Sequence, residues 1–356
     1  MQKSFGGKTL AGLVACFMWC GAALAQQSLV VASYGGQFQD MQRKALFEPF
    51  TKATGIKITD VSGVSVAKVK SMVMTGNVEW DVFITSTADH AQLVQSNLLD
   101  DIDYSKMDQK VLAELPKNAV QKKVLGTQWT AQVIAYNTKA FPGGSHPQSW
   151  ADVWNVQKFP GPRIMPAGNY VVNPIEPALL SAGVGKDKVY PLDLNKAYDQ
   201  LTKLRPQVIR WINSGSAVPQ ALVDGEAVVG MANSLRIQEL KDGGAPVDYV
   251  WNEGIVSMTH WALPKGGKNR EAALKFLEFV SRVEQQTAMA RNSVAPVNQR
   301  AFDLLTPQER SVLPSAPENF SKLFVLQTAP WLTRSATGQT VYEENVGKWI
   351  SWSTRQ

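Results

Sequence analysis

Between residues 29 and 84 the chain alternates short β-rich runs with helical stretches, and that order restricts the fold more than any other feature. Leu29-Val30-Val31-Ala32-Ser33-Tyr34 ends in Gly35-Gly36. Phe38, Met41, Ala45 and Leu46 then recur near the helical period. Pro49 suits the first turn of a second short helix, which Gly55 ends. Ile56-Lys57-Ile58-Thr59 reads as the next strand, residues 66–74 as a helix stopped at Gly76, and Asp81-Val82-Phe83-Ile84 as a third strand. Strands separated by helices are joined by right-handed crossovers, which predicts an α/β fold with parallel strands and helices on the sheet faces.

Past Gln128-Trp129-Thr130 and the run 133–137, the pattern changes. Residues 140–177 are rich in Pro and Gly, a helix is expected over 194–204, and a strand over 208–212. A helix ending near Asp224-Gly225-Glu226 precedes the strand 227–231, and 247–251 is a further strand. The extended run 255–263 carries the chain back to its starting lobe. There Ala273, Phe276, Leu277 and Val280 share a helix face, with Asn269 as the expected cap. A chain of 356 residues also exceeds the size at which single cores stop growing. We therefore expect two lobes joined by a hinge: 26–131 plus 259–305, and 132–258 plus 306–356.

Residues 1–25 read as a secretory leader. Lys3 and Lys8 are basic, residues 10–19 are apolar, and Ala23-Leu24-Ala25 is a small-x-small cleavage pattern. The apolar run is shorter than the roughly 20 residues of a membrane span. Leu13-Val14-Ala15-Cys16 also has the letters of a lipidation site, although an apolar stretch, not a polar tether, follows it. Both cysteines lie inside this leader, so the exported chain has neither disulfides nor thiol chemistry. The expected setting is the periplasm. Two of the six net positive charges belong to the leader and the rest are scattered, which argues against a nucleic-acid partner. No metal-ligand, Walker or dinucleotide motif is present. Gly143-Gly144-Ser145-His146-Pro147 fails as a nucleophile elbow because Pro147 stands where glycine is needed. No enzyme activity, cofactor or metal is expected.

Several stretches resemble the periplasmic solute-binding proteins that feed ABC importers, in the spermidine/putrescine-binding branch. They are residues 47–58 (F-x-x-x-T-G-I-x-V), Ser149-Trp150-Ala151-Asp152-Val153-Trp154, residues 224–231 (x-G-E-x-x-x-G-M), residues 262–277 and Ala295-Pro296-Val297-Asn298. The resemblance spans nearly the whole exported chain. It implies a two-lobed clamp that closes on one solute, acts as a monomer and delivers its cargo to a membrane permease and ATPase. The polyamine chemistry does not carry over. Where the family has acids or aromatics, this chain has the acid-free loop Met165-Pro166-Ala167-Gly168-Asn169-Tyr170, then Ala232, Ser257 and Thr259.

An anion site is the alternative that these replacements favour: a small organic carboxylate, an amino acid-like zwitterion or a phosphonate. Arg210 interrupts an apolar strand and is the expected anchor, since a guanidinium offers a planar fork to such groups. Ser214, Gly215 and Ser216 follow it, and Gly35 and Gly36 open a helix whose free N–H groups favour anions. Ser33, Thr85, Ser86, Asn169, Asn233, Ser257 and Thr259 are candidate hydrogen-bonding residues, with Asn233 preferred to nearby Arg236. Tyr34, Trp129, Tyr170 and Trp251 are candidate aromatic walls; Trp211 alternates with Arg210 and should face the core. A polyamine, held by Asp89, Glu253 and the aromatics, is the second cargo. Adjacent tyrosines of the kind that ferric-ion binders use are missing.

Overall fold

A computed structural model describes residues 1–2, 27–170, 172–336 and 338–354; the leader expected over residues 1–25, with Cys16, falls almost entirely outside them. Eleven strands form one sheet: β1 (Ser28–Ser33), β2 (Lys57–Ser62), β3 (Val82–Thr85), β4 (Val120–Gln121), β5 (Val124–Asn137), β6 (Arg163–Pro166), β7 (Val208–Ile212), β8 (Val229–Asn233), β9 (Val247–Ala262), β10 (Ala295–Pro296) and β11 (Phe324–Val325). The main path runs β2-β1-β3-β9-β5-β8-β6-β7. β1 is parallel to β2 and β3, and β6 is parallel to β7 and β8. Between these groups the pairs β3–β9, β9–β5 and β5–β8 are antiparallel. The architecture is the expected two-lobed α/β clamp, each lobe holding a parallel group flanked by helices.

Local chemistry sets the helix ends. Pro49 sits in the first turn of the Glu48–Thr54 helix, and Gly55, at φ 74°, closes it with a bond from its N–H to the Thr51 carbonyl. Gly76, at φ 70°, ends the Val66–Thr75 helix with a tighter bond, from its N–H to the Val73 carbonyl. Asn269 differs from expectation, because its side chain caps nothing. It donates to Asp81 instead, through its backbone N at 3.1 Å and Nδ2 at 3.0 Å, while Asp81 also accepts from Val30 N at 2.8 Å. The carboxylate thus ties the start of that helix to β1.

Apolar side chains divide into packed groups along β5 and β9. Leu29, Phe50, Val82, Trp261 and Phe276 belong to one group, with Phe50 and Trp261 edge-on to Phe276 at 5.4 and 5.5 Å. Trp150, Ile175, Leu179, Leu201 and Trp349 belong to another, against which Trp211 packs edge-on to Trp349 and Trp352. Among buried side chains the partition falls between Val133 and Ile134 on β5, between Ile255 and Val256 on β9, and between Leu323 and Phe324, although the half-buried Tyr249 and Trp251 of β9 also pack against the first group. Residues Leu313 to Leu323 therefore pack with the first lobe.

Where β5 and β9 cross this boundary their pairing is irregular: Gln132 opposes Ile255, but Ile134 opposes Val250. The excess residues of β9 bulge out through Glu253, at φ 59°. Its carboxylate accepts from Trp150 N (2.8 Å) and its carbonyl from Trp150 Nε1 (2.9 Å). Glu253 is thereby committed to the S-W-x-D-V-W turn.

Arg163 is fully buried at the start of β6 and donates to the carbonyls of Val153, Phe159 and Gly161. Burial lowers its pKa to about 10, so it stays charged at neutral pH. Arg163→Met strands three buried carbonyls, and urea unfolding is expected to show a loss of at least about 3 kcal/mol.

Candidate functional site

β5 and β9 form the floor of a cavity of about 610 Å³ between the two cores. The floor is a ladder of cross-strand pairs on one face: Gln128 with Thr259, Thr130 with Ser257, and Gln132 with Ile255. Strand alternation explains the arrangement. Ile255, Ser257 and Thr259 face the cavity while Val256 and Met258 enter the first core. The walls come from segments that follow the C-terminal ends of parallel strands: 34–41 after β1, 86–92 after β3, 172–176 after β6 and 233–239 after β8. Crevices at those ends are where open α/β sheets bind ligands.

The charges on this surface are few. Arg236 is the single cation among the described lining residues. It lies in the first turn of the Ser234–Asp242 helix and has no carboxylate within ion-pair distance. Glu239, one turn on, is raised above the usual carboxylate range by burial, against the pull of Arg236. Glu176, in the first turn of the Ile175–Ser181 helix, is 2 % exposed. Its Oε1 accepts from Trp331 Nε1 at 2.7 Å and Tyr190 Oη at 3.0 Å. Burial raises its pKa, and those bonds oppose the rise. Tyr34 is 47 % exposed, yet burial and then the charge of Asp89 push its phenol far above the ordinary value. The ring lines the cavity. Among the described residues no three His, Cys, Asp or Glu come together to hold a metal, and no helix is long and apolar enough to cross a membrane.

Of the expected site residues, Tyr34, Gly35, Gly36, Ser86, Trp129, Asn233, Ser257 and Thr259 reach the cavity surface. Several are already engaged. Gly35 N–H donates to Gln39 Oε1 at 3.0 Å, so it is not a free anion donor. Asn233 caps its helix through Leu235 N and donates to Thr130 Oγ1 at 2.8 Å. Trp129 is mostly core, edge-on to Phe320 at 5.1 Å.

Arg210 requires a correction. β7 is the outermost strand of the sheet, and Arg210, on the face opposite Trp211, is exposed there. The guanidinium is 53 % exposed, pairs with Glu226 and lies off the cavity surface. Ser33 is buried against Gln42, Thr85 is buried beside Ser86, and Trp251 stacks edge-on to Tyr249 at 4.9 Å; none of them lines the cavity. Asn169 and Tyr170 do not line it either. Ser214 and Ser216 are exposed and share a 3.0 Å contact. Gly215 stands near the rim: a Cβ built there would lie 3.8 Å from Tyr170 Oη and 4.0 Å from Arg236 Nε.

Sequence reasoning passed over Glu176 because it sought an acid in the loop 165–170. The signal was a lone carboxylate in the apolar run Pro174-Ile175-Glu176-Pro177-Ala178-Leu179-Leu180, which needs a partner once buried.

The family model for bacterial extracellular solute-binding proteins matches residues 45–314, and the chain belongs to that family. It is therefore a solute-binding protein and not an enzyme. A gamma-aminobutyric acid-binding protein of Pseudomonas aeruginosa is 29 % identical over 343 residues, covering 94 % of this chain and 93 % of that one. The spermidine/putrescine-binding periplasmic protein of Escherichia coli is 26 % identical over 316 residues, 84 % and 86 % of the two chains. The crystal structure of an ABC transporter substrate-binding protein from Bradyrhizobium japonicum has a TM-score of 0.84 at 31 % identity, covering 92 % of this chain and 99 % of that one.

Behind the cavity, His90 and His260 meet edge-on at 4.5 Å, both buried. His90 Nδ1 and both ring nitrogens of His260 have no hydrogen-bond partner. Burial lowers His90 to about 4, and burial with the charge of His90 takes His260 well below its ordinary value. The folded protein thus binds fewer protons here than the unfolded chain, so stability rises with pH. It is complete above about pH 6.5, the unfolded histidine value, and falls toward pH 4. Melting curves at stepwise pH should show this loss, up to about 1.4 kcal/mol per unit for each ring. In His90→Gln/His260→Gln the slope over that window should flatten.

Proposed function

We propose that this chain is exported by residues 1–25 and serves, as a monomer, as the periplasmic receptor of an ABC importer for a small zwitterion of the ω-amino acid type. Arg236 takes the ligand carboxylate. The observation that carries this reading is a guanidinium with no ion-pair partner, alone among the cavity's cations, at a helix start whose amides add to its attraction for an anion. The relative that binds gamma-aminobutyric acid is in keeping with it. A ligand that carries only negative charge would find one cation, Arg236, and no use for the acids Glu176 and Glu239. A polyamine gains from the same acids but meets Arg236, which repels it.

Two bodies close on the ligand. The first holds the expected segments 26–131 and 259–305 together with the run up to Leu323, which packs against it; the second holds 132–258 and the chain beyond Leu323. The bulged crossing of β5 and β9 supplies the hinge, because the regular ladder is interrupted where both strands pass between the lobes. Closure presents the loaded form to the permease and ATPase.

Isothermal titration with γ-aminobutyrate and with putrescine tests the reading. The wild type should bind the zwitterion, and Arg236→Ala should weaken it by about 1.5–3 kcal/mol, the worth of a charge-assisted hydrogen bond. Arg210→Ala, altered at the far sheet edge, should bind as the wild type does. Tight putrescine binding that survives Arg236→Ala would sink the proposal.

A further inference from the structure

Glu176 is a buried carboxylate that no ion pair satisfies. Both hydrogen bonds it receives from other residues land on Oε1, so Oε2 takes none from a neighbouring side chain. No charged group takes part in its electrostatics, only burial, the two bonds and its own backbone N–H. The elements packed against its helix carry Asp152, then Lys196, Asp199 and Lys203, then Asp248 and Glu253, and none of these bears on it. Tyr190 faces it as a neutral phenol, held in that form by burial and by Glu176 itself. Arg236 and Glu239 line the same cavity, from the helix that follows the adjacent strand β8.

A carboxylate in such a place is costly to ionise unless a cation arrives. The cavity is open to a cation, and the Trp331 and Tyr190 donors hold one oxygen and orient the group. We propose that Glu176 is the seat for the ligand's ammonium group, and that it gives up a proton to solvent as the ammonium docks. This deepens the zwitterion reading and rests on it. The proton balance is simple. Below the pH at which the buried carboxyl of the empty receptor ionises, a pH that burial raises, the ligand enters with its ammonium intact and the complex contains an ammonium–carboxylate pair with one proton released. Arg236 reads one end of the ligand and Glu176 the other, so neither a bare carboxylate nor a bare amine satisfies both.

Linkage gives the sign. A proton lost on binding makes affinity rise with pH, by up to tenfold per unit, until the empty-state carboxyl is itself ionised. The test is titration of the full chain with γ-aminobutyrate between about pH 5 and pH 8, in buffers of different ionisation enthalpy. The dependence of the observed heat on buffer then counts the protons.

The expected result is net release in the wild type at the acid end. In Glu176→Gln that release should be abolished and binding should be at least tenfold weaker. The amide retains an acceptor for Trp331 and Tyr190, so the ligand-free melting temperature should hold. Glu239→Gln and Asp89→Asn should still release the proton. Wild-type binding without release, or release that persists in Glu176→Gln and vanishes in either control, overturns this inference while leaving the Arg236 reading intact. A wild type that binds no zwitterion overturns both.

Discussion

The antiparallel pairing of β5 with β9 is the contact on which the rest depends. Strands of 14 and 16 residues are long enough to leave one core and enter the other, so a single ladder belongs to both lobes. One face of the ladder delivers Val256 and Met258 to the first core; the other offers Gln128, Thr130, Ser257 and Thr259 to the cavity. The floor of the site and the mechanical link between lobes are therefore the same atoms. The irregularity at Glu253 falls where the partition of side chains changes, and Trp150 holds the bulge from the second lobe. On the proposed reading, a change in lobe angle there is felt directly beneath the ligand.

Three arginines show how position in the sheet decides what a charge can do. Arg163 begins an interior strand and is surrounded on all sides, so it survives only by spending its donors on three carbonyls. Arg210 sits on the outermost strand, where solvent and Glu226 satisfy it. Arg236 follows β8 into the first turn of a helix that faces the cavity, where Glu239 feels its charge but no carboxylate lies within ion-pair distance. All three interrupt or border apolar strands, and composition alone does not separate them. The difference lies in which neighbours cover each face.

The same distinction governs what could be read from the chain beforehand. Pro49, Gly55 and Gly76 act within their own turns, and the strand over 208–212 matches the structure residue for residue. The Leu194–Leu204 helix was equally legible from its period. β5 and β9, by contrast, were read as separate pieces, because the polar residues that face the cavity break the apolar run. The return of the chain at Leu323 has no such signature, since its strand β11 is two residues long. Site residues were legible where a loop adjoins a strand end, as at Tyr34 and Ser86. Arg236 lies within one helical turn of such an end, whereas Glu176 comes only after the loop that follows β6, at the start of its helix, and the importance of both comes from what they lack as neighbours.

The distribution of charge across the cleft gives that lack a use. The lining contributed by the first lobe, from Tyr34 through Gln92 and from Gln128 to Thr130, is uncharged. Arg236, Glu176 and Glu239 all come from the second lobe. Parallel strands β6 and β8 are adjacent, and the helices bearing Glu176 and Arg236 follow them at the same end of the sheet. On the proposed reading both ends of a zwitterion are therefore read by one rigid body, before the lobes move. The first lobe then adds Tyr34, hydroxyls and amides, and excludes water as it closes, which strengthens the charge pairs already made. A polyamine site built on the floor positions would work in the opposite order, because Ser257 and Thr259 lie on the hinge strands themselves. Moving the acid from the floor to a helix start separates the recognition of charge from the motion of the clamp.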